Sequence, residues 1–75
     1  MTPYSVVANE IDLFVNGERM SFAGGTVLDL IAELELDLRK VAIEHNHQIV
    51  PRSVFTYVVL ADGDQIEIVH FIGGG

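Results

Sequence analysis

Ile11-Asp12-Leu13-Phe14-Val15-Asn16-Gly17-Glu18-Arg19-Met20-Ser21-Phe22 contains a turn between two short alternating segments. Ile11, Leu13 and Val15 share one side, which is the period of a half-buried strand. Asn16-Gly17 is the strongest short hairpin signal, because both residues accept the positive φ of a type I′ turn. Arg19-Met20-Ser21-Phe22 is then the return strand. A two-residue turn sets Leu13 opposite Met20 and Ile11 opposite Phe22, so the register keeps the apolar residues on one face.

Downstream, Gly24-Gly25 breaks the strand and Thr26 reads as a helix N-cap, with Asp29 three residues on in capping-box spacing. Val27, Leu30, Ile31 and Leu34 recur at helical spacing, with Leu28 beside them, so a helix is expected over Val27 to Glu35. Val41-Ala42-Ile43-Glu44 is a strand with Val41 and Ile43 inward. A turn is expected at His45-Asn46. Gln48-Ile49-Val50 forms a short strand that Pro51 ends. Arg52 to Leu60 is the least regular stretch, where Ser53 is placed to cap a short turn of helix. Asp62-Gly63-Asp64 is a turn. Gln65 to Phe71 is the last strand, with Ile66 and Ile68 inward. The order gives an α+β class, a mixed sheet of four to five strands with one helix on one face. The expected core gathers Ile11, Leu13, Val15, Met20, Phe22, Val41, Ile43, Ile66 and Ile68 from the sheet. The helix adds Val27, Leu30, Ile31 and Leu34. Residues 1–9 read as a lead-in, 10–72 as the domain and 73–75 as a tail.

Size and composition narrow the function. A chain of 75 residues makes one small domain, which buries only about 60% of its unfolded surface. It leaves no room for a deep cleft of roughly 300 Å³ or more. An apolar content of 49% fits a folded chain. There is no cysteine, which removes disulfides, thiolate metal sites and cysteine nucleophiles together. The net charge of −7 argues against nucleic acid and anionic membranes, whose phosphates need Lys and Arg. It suits a domain that docks on a basic partner. No signal peptide or membrane span is legible, so a cytoplasmic protein is expected.

The chain ends Gly73-Gly74-Gly75, directly after a strand pattern. Glycine tolerates backbone angles that other residues cannot, so such a tail can enter a narrow channel and present its carboxylate. A glycine end is equally a frayed terminus when taken alone.

Set side by side, these pieces resemble a family. Val15-Asn16-Gly17-Glu18, Thr26-Val27-Leu28-Asp29-Leu30 and Val41-Ala42-Ile43-Glu44-His45-Asn46 carry the first half of the likeness. Ile49-Val50-Pro51-Arg52-Ser53, Asp62-Gly63-Asp64 and Ile66-Glu67-Ile68-Val69-His70-Phe71-Ile72-Gly73-Gly74-Gly75 carry the second. The ordered set, from Ile11 to Gly75, is similar to the ThiS family of bacterial sulfur carriers for thiamine thiazole biosynthesis. These are β-grasp (ubiquitin-like) proteins. The lead-in of nine residues departs from the family, whose members begin near the first strand.

The resemblance implies a non-enzymatic carrier. A ubiquitin-activating-like adenylyltransferase of the ThiF type would bind the domain and adenylate Gly75 with its own ATP. The carrier itself would hold no cofactor. A persulfide donor would replace AMP and leave a thiocarboxylate. A thiazole synthase of the ThiG type would then take the sulfur. The residues agree with this chemistry. A carboxylate does not react with sulfur nucleophiles until it carries a good leaving group, and a chain without cysteine leaves the terminus as the site.

Strand parity offers a docking face. If Ile66 and Ile68 face the helix, then Glu67, Val69 and Phe71 face away, with Asp12, Phe14, Ala42 and Glu44 on the same side. Phe14, Val69 and Phe71 amid carboxylates make an apolar patch with an acidic rim, next to Gly73 and Gly74. Scattered exposed apolar residues are the plainer alternative. His45 and His47 would share a face on an extended segment, but with His70 they match no ligand pattern, and no metal is expected. Glu33, Glu35 and Asp37 read as a solvated acidic face, and Asp62 and Asp64 as turn residues. Arg52 either anchors a turn or meets a partner. Three rivals share part of this evidence: the small subunit of molybdopterin synthase, a ubiquitin-like modifier joined to lysines, and an interaction domain with an inert tail.

Overall fold

The computed structural model of the chain describes residues 10–71. Strands Ile11–Val15 (β1) and Glu18–Phe22 (β2) form the expected antiparallel hairpin, with Leu13 opposite Met20 and Ile11 opposite Phe22. Asn16 and Gly17 take φ of 51° and 84°, the left-handed pair that such a turn requires. Val41–His45 (β3), Gln48–Val50 (β4) and Gln65–His70 (β5) complete the sheet. Its order is β2-β1-β5-β3-β4. Among the described residues only the β1–β5 pair is parallel. This is the mixed five-stranded sheet of a β-grasp fold, with β5 at its centre.

The helix Val27–Glu33 (α1) packs on one face and buries Val27, Leu30 and Ile31. Thr26 accepts the Asp29 amide at 3.3 Å, while Asp29 Oδ2 accepts the Thr26 amide at 2.8 Å. These reciprocal bonds close a capping box. Gly25 makes the box possible, because a β-carbon there would strike the Asp29 carboxylate. The helix stops two residues short of the expected Glu35. Glu35 turns out at φ 59°, and its amide and that of Leu36 return to the carbonyls of Ala32 and Ile31. That is a Schellman ending with glutamate where glycine is usual. Leu36 packs against the core, and this apolar contact offsets the strained backbone before it.

Of the expected core, Leu13, Phe22, Val27, Leu30, Ile31, Val41, Ile43 and Ile66 are buried. Ile11, Val15, Met20, Leu34 and Ile68 pack around them. Val50, Phe55 and Leu60 complete the interior, the last two from the irregular stretch after β4. Burying each contributes about 1.5–3 kcal/mol. The same stretch caps the helix start. Val27 and Leu28 donate their amides to the Val58 and Phe55 carbonyls at 2.9 and 3.1 Å, which satisfies donors that a helix leaves orphaned.

Two further local expectations change. The second hairpin turns at Asn46-His47, one residue later than expected, with φ of 50° and 72°. His45 therefore stays in β3, and the face it was expected to share with His47 does not form. Ser53 lies inside the 3-10 turn Arg52–Val54, whose N-cap is Pro51 without a side-chain hydrogen bond.

Candidate functional site

β5 carries the chain towards its glycines, so the site is built from what holds and surrounds that strand. Gly73, Gly74 and Gly75 lie outside the described residues, as do positions 1–9 and 72. β5 ends at His70, and Phe71 follows.

β1 runs out before β5 does. Val15 lies opposite Ile66, and beyond it the chain turns at Asn16. The Asn16 amide donates to the Ile66 carbonyl at 2.8 Å. Its side chain then continues the ladder: Oδ1 accepts the Ile68 amide at 2.7 Å, and Nδ2 donates to the Ile68 carbonyl at 3.2 Å. One asparagine thus stands in for the missing length of strand. The hairpin motif gives its turn role, but this second role depends on the β1–β5 pairing and has no local signature. On the opposite side β3 pairs with β5 from Val41–His70 to His45–Ile66. The Phe71 amide extends that side by donating to the Lys40 carbonyl at 2.7 Å.

The start of β5 is held by a polar cluster. Asp64 Oδ2 lies 2.7 Å from His45 Nε2 and accepts the Ala61 amide at 2.8 Å. Asn46 donates to Asp64 Oδ1 at 3.1 Å. Asn46 Oδ1 accepts the Gln65 amide at 2.9 Å, and the Asn46 amide donates to the Gln65 carbonyl. Burial works to raise the Asp64 carboxyl, but the hydrogen bonds from His45, the Ala61 amide and Asn46 outweigh it. They hold the group below the usual carboxylate range. Asp64 is thus more than the plain turn residue it reads as in sequence. His45 is committed to this cluster. Among the described residues no group of three or more His, Cys, Asp or Glu could hold a metal.

The sheet face away from the helix presents Phe14, Val69 and Phe71, 38%, 56% and 50% exposed. Val69 stands opposite Ala42, so Val69, Ala42 and Phe71 form one apolar strip at the exit end. Phe14 does not join it. It pairs with Gln65, four residues before Val69, or roughly 13 Å along an extended strand. Glu44 and Glu67 lie directly opposite each other, and Ile49 flanks Glu44. Like charges in that position destabilise a sheet. Parity alone leaves the face of Ile49 undecided. Its pairing with Glu44 puts it on the outer side, where it is 79% exposed. A shallow hollow of about 170 Å³ between β4 and the stretch after it, lined by Val50, Pro51, Val54 and Val58 among others, lies on the far edge from β5. It is smaller than the roughly 300–1,000 Å³ of small-molecule sites. No helix among the described residues is long and apolar enough to cross a membrane.

Comparison with known proteins accounts for this arrangement. A model described as the ThiS family matches residues 13–75. The sulfur carrier protein ThiS of Bacillus subtilis is 45% identical over 51 residues, covering 68% of this chain and 77% of that protein. The thiazole synthase of Paramagnetospirillum magneticum is 52% identical over 64 residues, covering 84% of this chain but only 20% of its own length. In three dimensions, the crystal structure of the thiamine biosynthesis protein (ThiS) from Geobacter metallireducens superposes with a TM-score of 0.75 at 29% identity. It covers 87% of this chain and all of that one. With its β-grasp sheet, its central β5 and a family match that runs through the terminal glycines, this chain belongs to the ThiS family of sulfur carriers.

Proposed function

We propose that this chain carries sulfur for thiamine thiazole biosynthesis, with the Gly75 carboxylate as its reacting group. The observation that supports this most directly is that the family match extends to residue 75, beyond a strand fixed on both sides at its exit end. The chain acts as a protein co-substrate. An adenylyltransferase of the ThiF type brings ATP. A Gly75 carboxylate oxygen attacks the α-phosphorus, pyrophosphate leaves, and an acyl-adenylate forms. The outer sulfur of a donor persulfide attacks the acyl carbon and expels AMP. A thiol then cleaves the resulting acyl disulfide and leaves a thiocarboxylate. Gly73 and Gly74 let the partner close around the backbone, since a side chain there would hold the walls apart.

A thiazole synthase of the ThiG type would receive the sulfur. Proteins named thiazole synthase that contain a stretch 52% and 45% identical to this chain support that pairing. The docking face is the strip of Val69, Ala42 and Phe71 with the Glu44–Glu67 pair beside it. A partner cation placed there would relieve the repulsion between the two carboxylates. Phe14 would contribute only to a partner footprint broad enough to reach the start of β5.

Intact mass after incubation with ATP, the adenylyltransferase and a persulfide donor tests the proposal. The expected gain is one oxygen replaced by sulfur, located at Gly75. A chain lacking Gly75 should keep its circular dichroism spectrum and melting transition but gain no sulfur. Sulfur gained by that truncated chain would overturn the mechanism.

A further inference from the structure

The β3–β5 pairing runs to Val41 and His70, and its next rung falls on a carbonyl just outside β3. The Phe71 amide donates to the Lys40 carbonyl at 2.7 Å. Lys40 ends the 3-10 turn Leu38–Lys40, which has no buried residue, and leads directly into Val41, the buried first residue of β3. Within the turn, Asp37 accepts the Arg39 amide at 2.9 Å and pairs with the Arg39 guanidinium. These contacts lie within the turn, which is joined to the sheet at its C-terminal end through Val41.

Arg52 supplies a tie from across the fold. Its Nε donates to the Leu38 carbonyl at 2.9 Å and its Nη2 to the Arg39 carbonyl at 3.3 Å. Two successive carbonyls are gripped by one rigid fork, and the next carbonyl in the chain receives Phe71. A guanidinium is suited to this, because its donors lie in one plane at fixed spacing, whereas an ammonium is a single point. Arg52 itself is exposed and forms no ion pair among the described residues. Its side chain is therefore spent on two backbone oxygens.

We infer that Arg52 is a positioning residue for the carrier reaction: with the start of β3 it steadies the Leu38–Lys40 turn, and through the Lys40 carbonyl it helps hold the Phe71 amide in place. The assignment rests on the sulfur-carrier reading above. Its physical content is pre-organisation. A strand end already held in place needs less ordering when an adenylyltransferase captures it, so the contribution falls on binding. Once the partner grips the tail, the chemical step no longer depends on the anchor.

The test compares wild type, Arg52→Ala and Arg52→Lys by residue-resolved amide exchange and by steady-state adenylation with the carrier as varied substrate. In Arg52→Ala the Phe71 amide is expected to exchange about tenfold faster, while the Ile68 amide, held by Asn16, stays unchanged. The KM for the carrier should rise about fivefold with kcat unchanged, and lysine, able to reach one carbonyl, should recover part of the loss. A purely structural role would speed all β5 amides together and lower the melting temperature in step with any kinetic loss. That result overturns the inference, as does an unchanged Phe71 amide or an unchanged KM. If the wild-type chain is not adenylated at all, the carrier reading falls and the functional assignment falls with it. If wild type is adenylated and Arg52→Ala matches it, only the assignment falls.

Discussion

Two turns flank β5, and they are built alike. Asn16-Gly17 and Asn46-His47 both take positive φ at both residues. In each, the asparagine amide donates to a β5 carbonyl at 2.8 Å, and Oδ1 accepts a β5 amide. They differ in what the remaining side-chain nitrogen meets. Asn16 gives it to the Ile68 carbonyl and so lengthens the ladder towards the exit of the strand. Asn46 gives it to Asp64 and so joins the polar cluster at the strand's entry. One local device thus serves two ends of one strand, and only one of those ends leads to the residue proposed to react.

Removing each asparagine tests that division and should give the largest effects. Asn16→Ala leaves both polar groups of Ile68 without their partner and puts alanine at positive φ. A loss of about 3 kcal/mol is expected, roughly 1 for each hydrogen bond and 1 for the backbone. Asn46→Ala loses its bonds to Gln65 and Asp64 under the same backbone strain, so a similar loss of about 3 kcal/mol is expected. Urea denaturation measures both. Adenylation kinetics, run where both variants remain folded, should separate them: Asn16→Ala raises the carrier KM and Asn46→Ala leaves it near wild type. Equal kinetic defects would mean that β5 is held as one unit, with no division between its ends.

The contrast between the turns also explains what sequence could reveal. Asn16-Gly17 is legible because glycine marks a left-handed position, and the register of the first hairpin follows from it. Asn46-His47 has no glycine, and histidine reaches φ 72° only because the β3–β4 register demands it, so the expected turn falls one residue early. The helix start is legible from Thr26 and Asp29. Its end is obscured because Glu35 occupies a glycine position and because Leu34, Leu36 and Leu38 also alternate. Phe55 and Leu60 enter the core from a stretch without periodicity, where their neighbours say nothing about burial. At the site, parity places Val69 and Phe71 on the outer face, but the distance between Phe14 and Val69 depends on the β1–β5 stagger. The roles of Asn16 and Arg52 depend on partners 52 and 14 residues away, which local spacing cannot express.

Acid should separate the two ends without any substitution. The Asp64 carboxyl lies below its ordinary value of 3.8 in the folded chain. A depressed folded value means that the stabilisation is complete above the unfolded value and is lost as pH falls through the folded one. The loss therefore begins near pH 4 and continues downward, at the entry end. Asp37, held at about 2 by hydrogen bonds from the Arg39 side chain and amide, adds its own acid dependence. That contribution is common to wild type and Asp64→Asn and cancels in their difference. The difference in melting temperature between the two proteins should narrow as pH falls from 5 to 2. Over the same range, the Gln65 amide of wild type should lose exchange protection before that of Ile68. A constant difference would show that the Asp64 charge contributes nothing to the entry cluster.

The smallest expected effect asks whether the second turn can be made into the first. His47→Gly places glycine at φ 72°, where a side chain crowds the backbone by about 1–2 kcal/mol. Glycine also gives the unfolded chain more freedom, which takes back about 0.5–1 kcal/mol. A net stabilisation of about 0.5–1 kcal/mol remains, visible as a higher urea midpoint with an unchanged slope. The His47 ring makes no hydrogen bond in the entry cluster, which uses His45, Asn46 and Asp64, so the substitution removes backbone strain and no contact there. Adenylation kinetics should not change, because the turn lies at the end of β5 away from the glycines. A kinetic change would show that the entry end reaches the partner, and the division between the two asparagines would have to be redrawn around a larger interface.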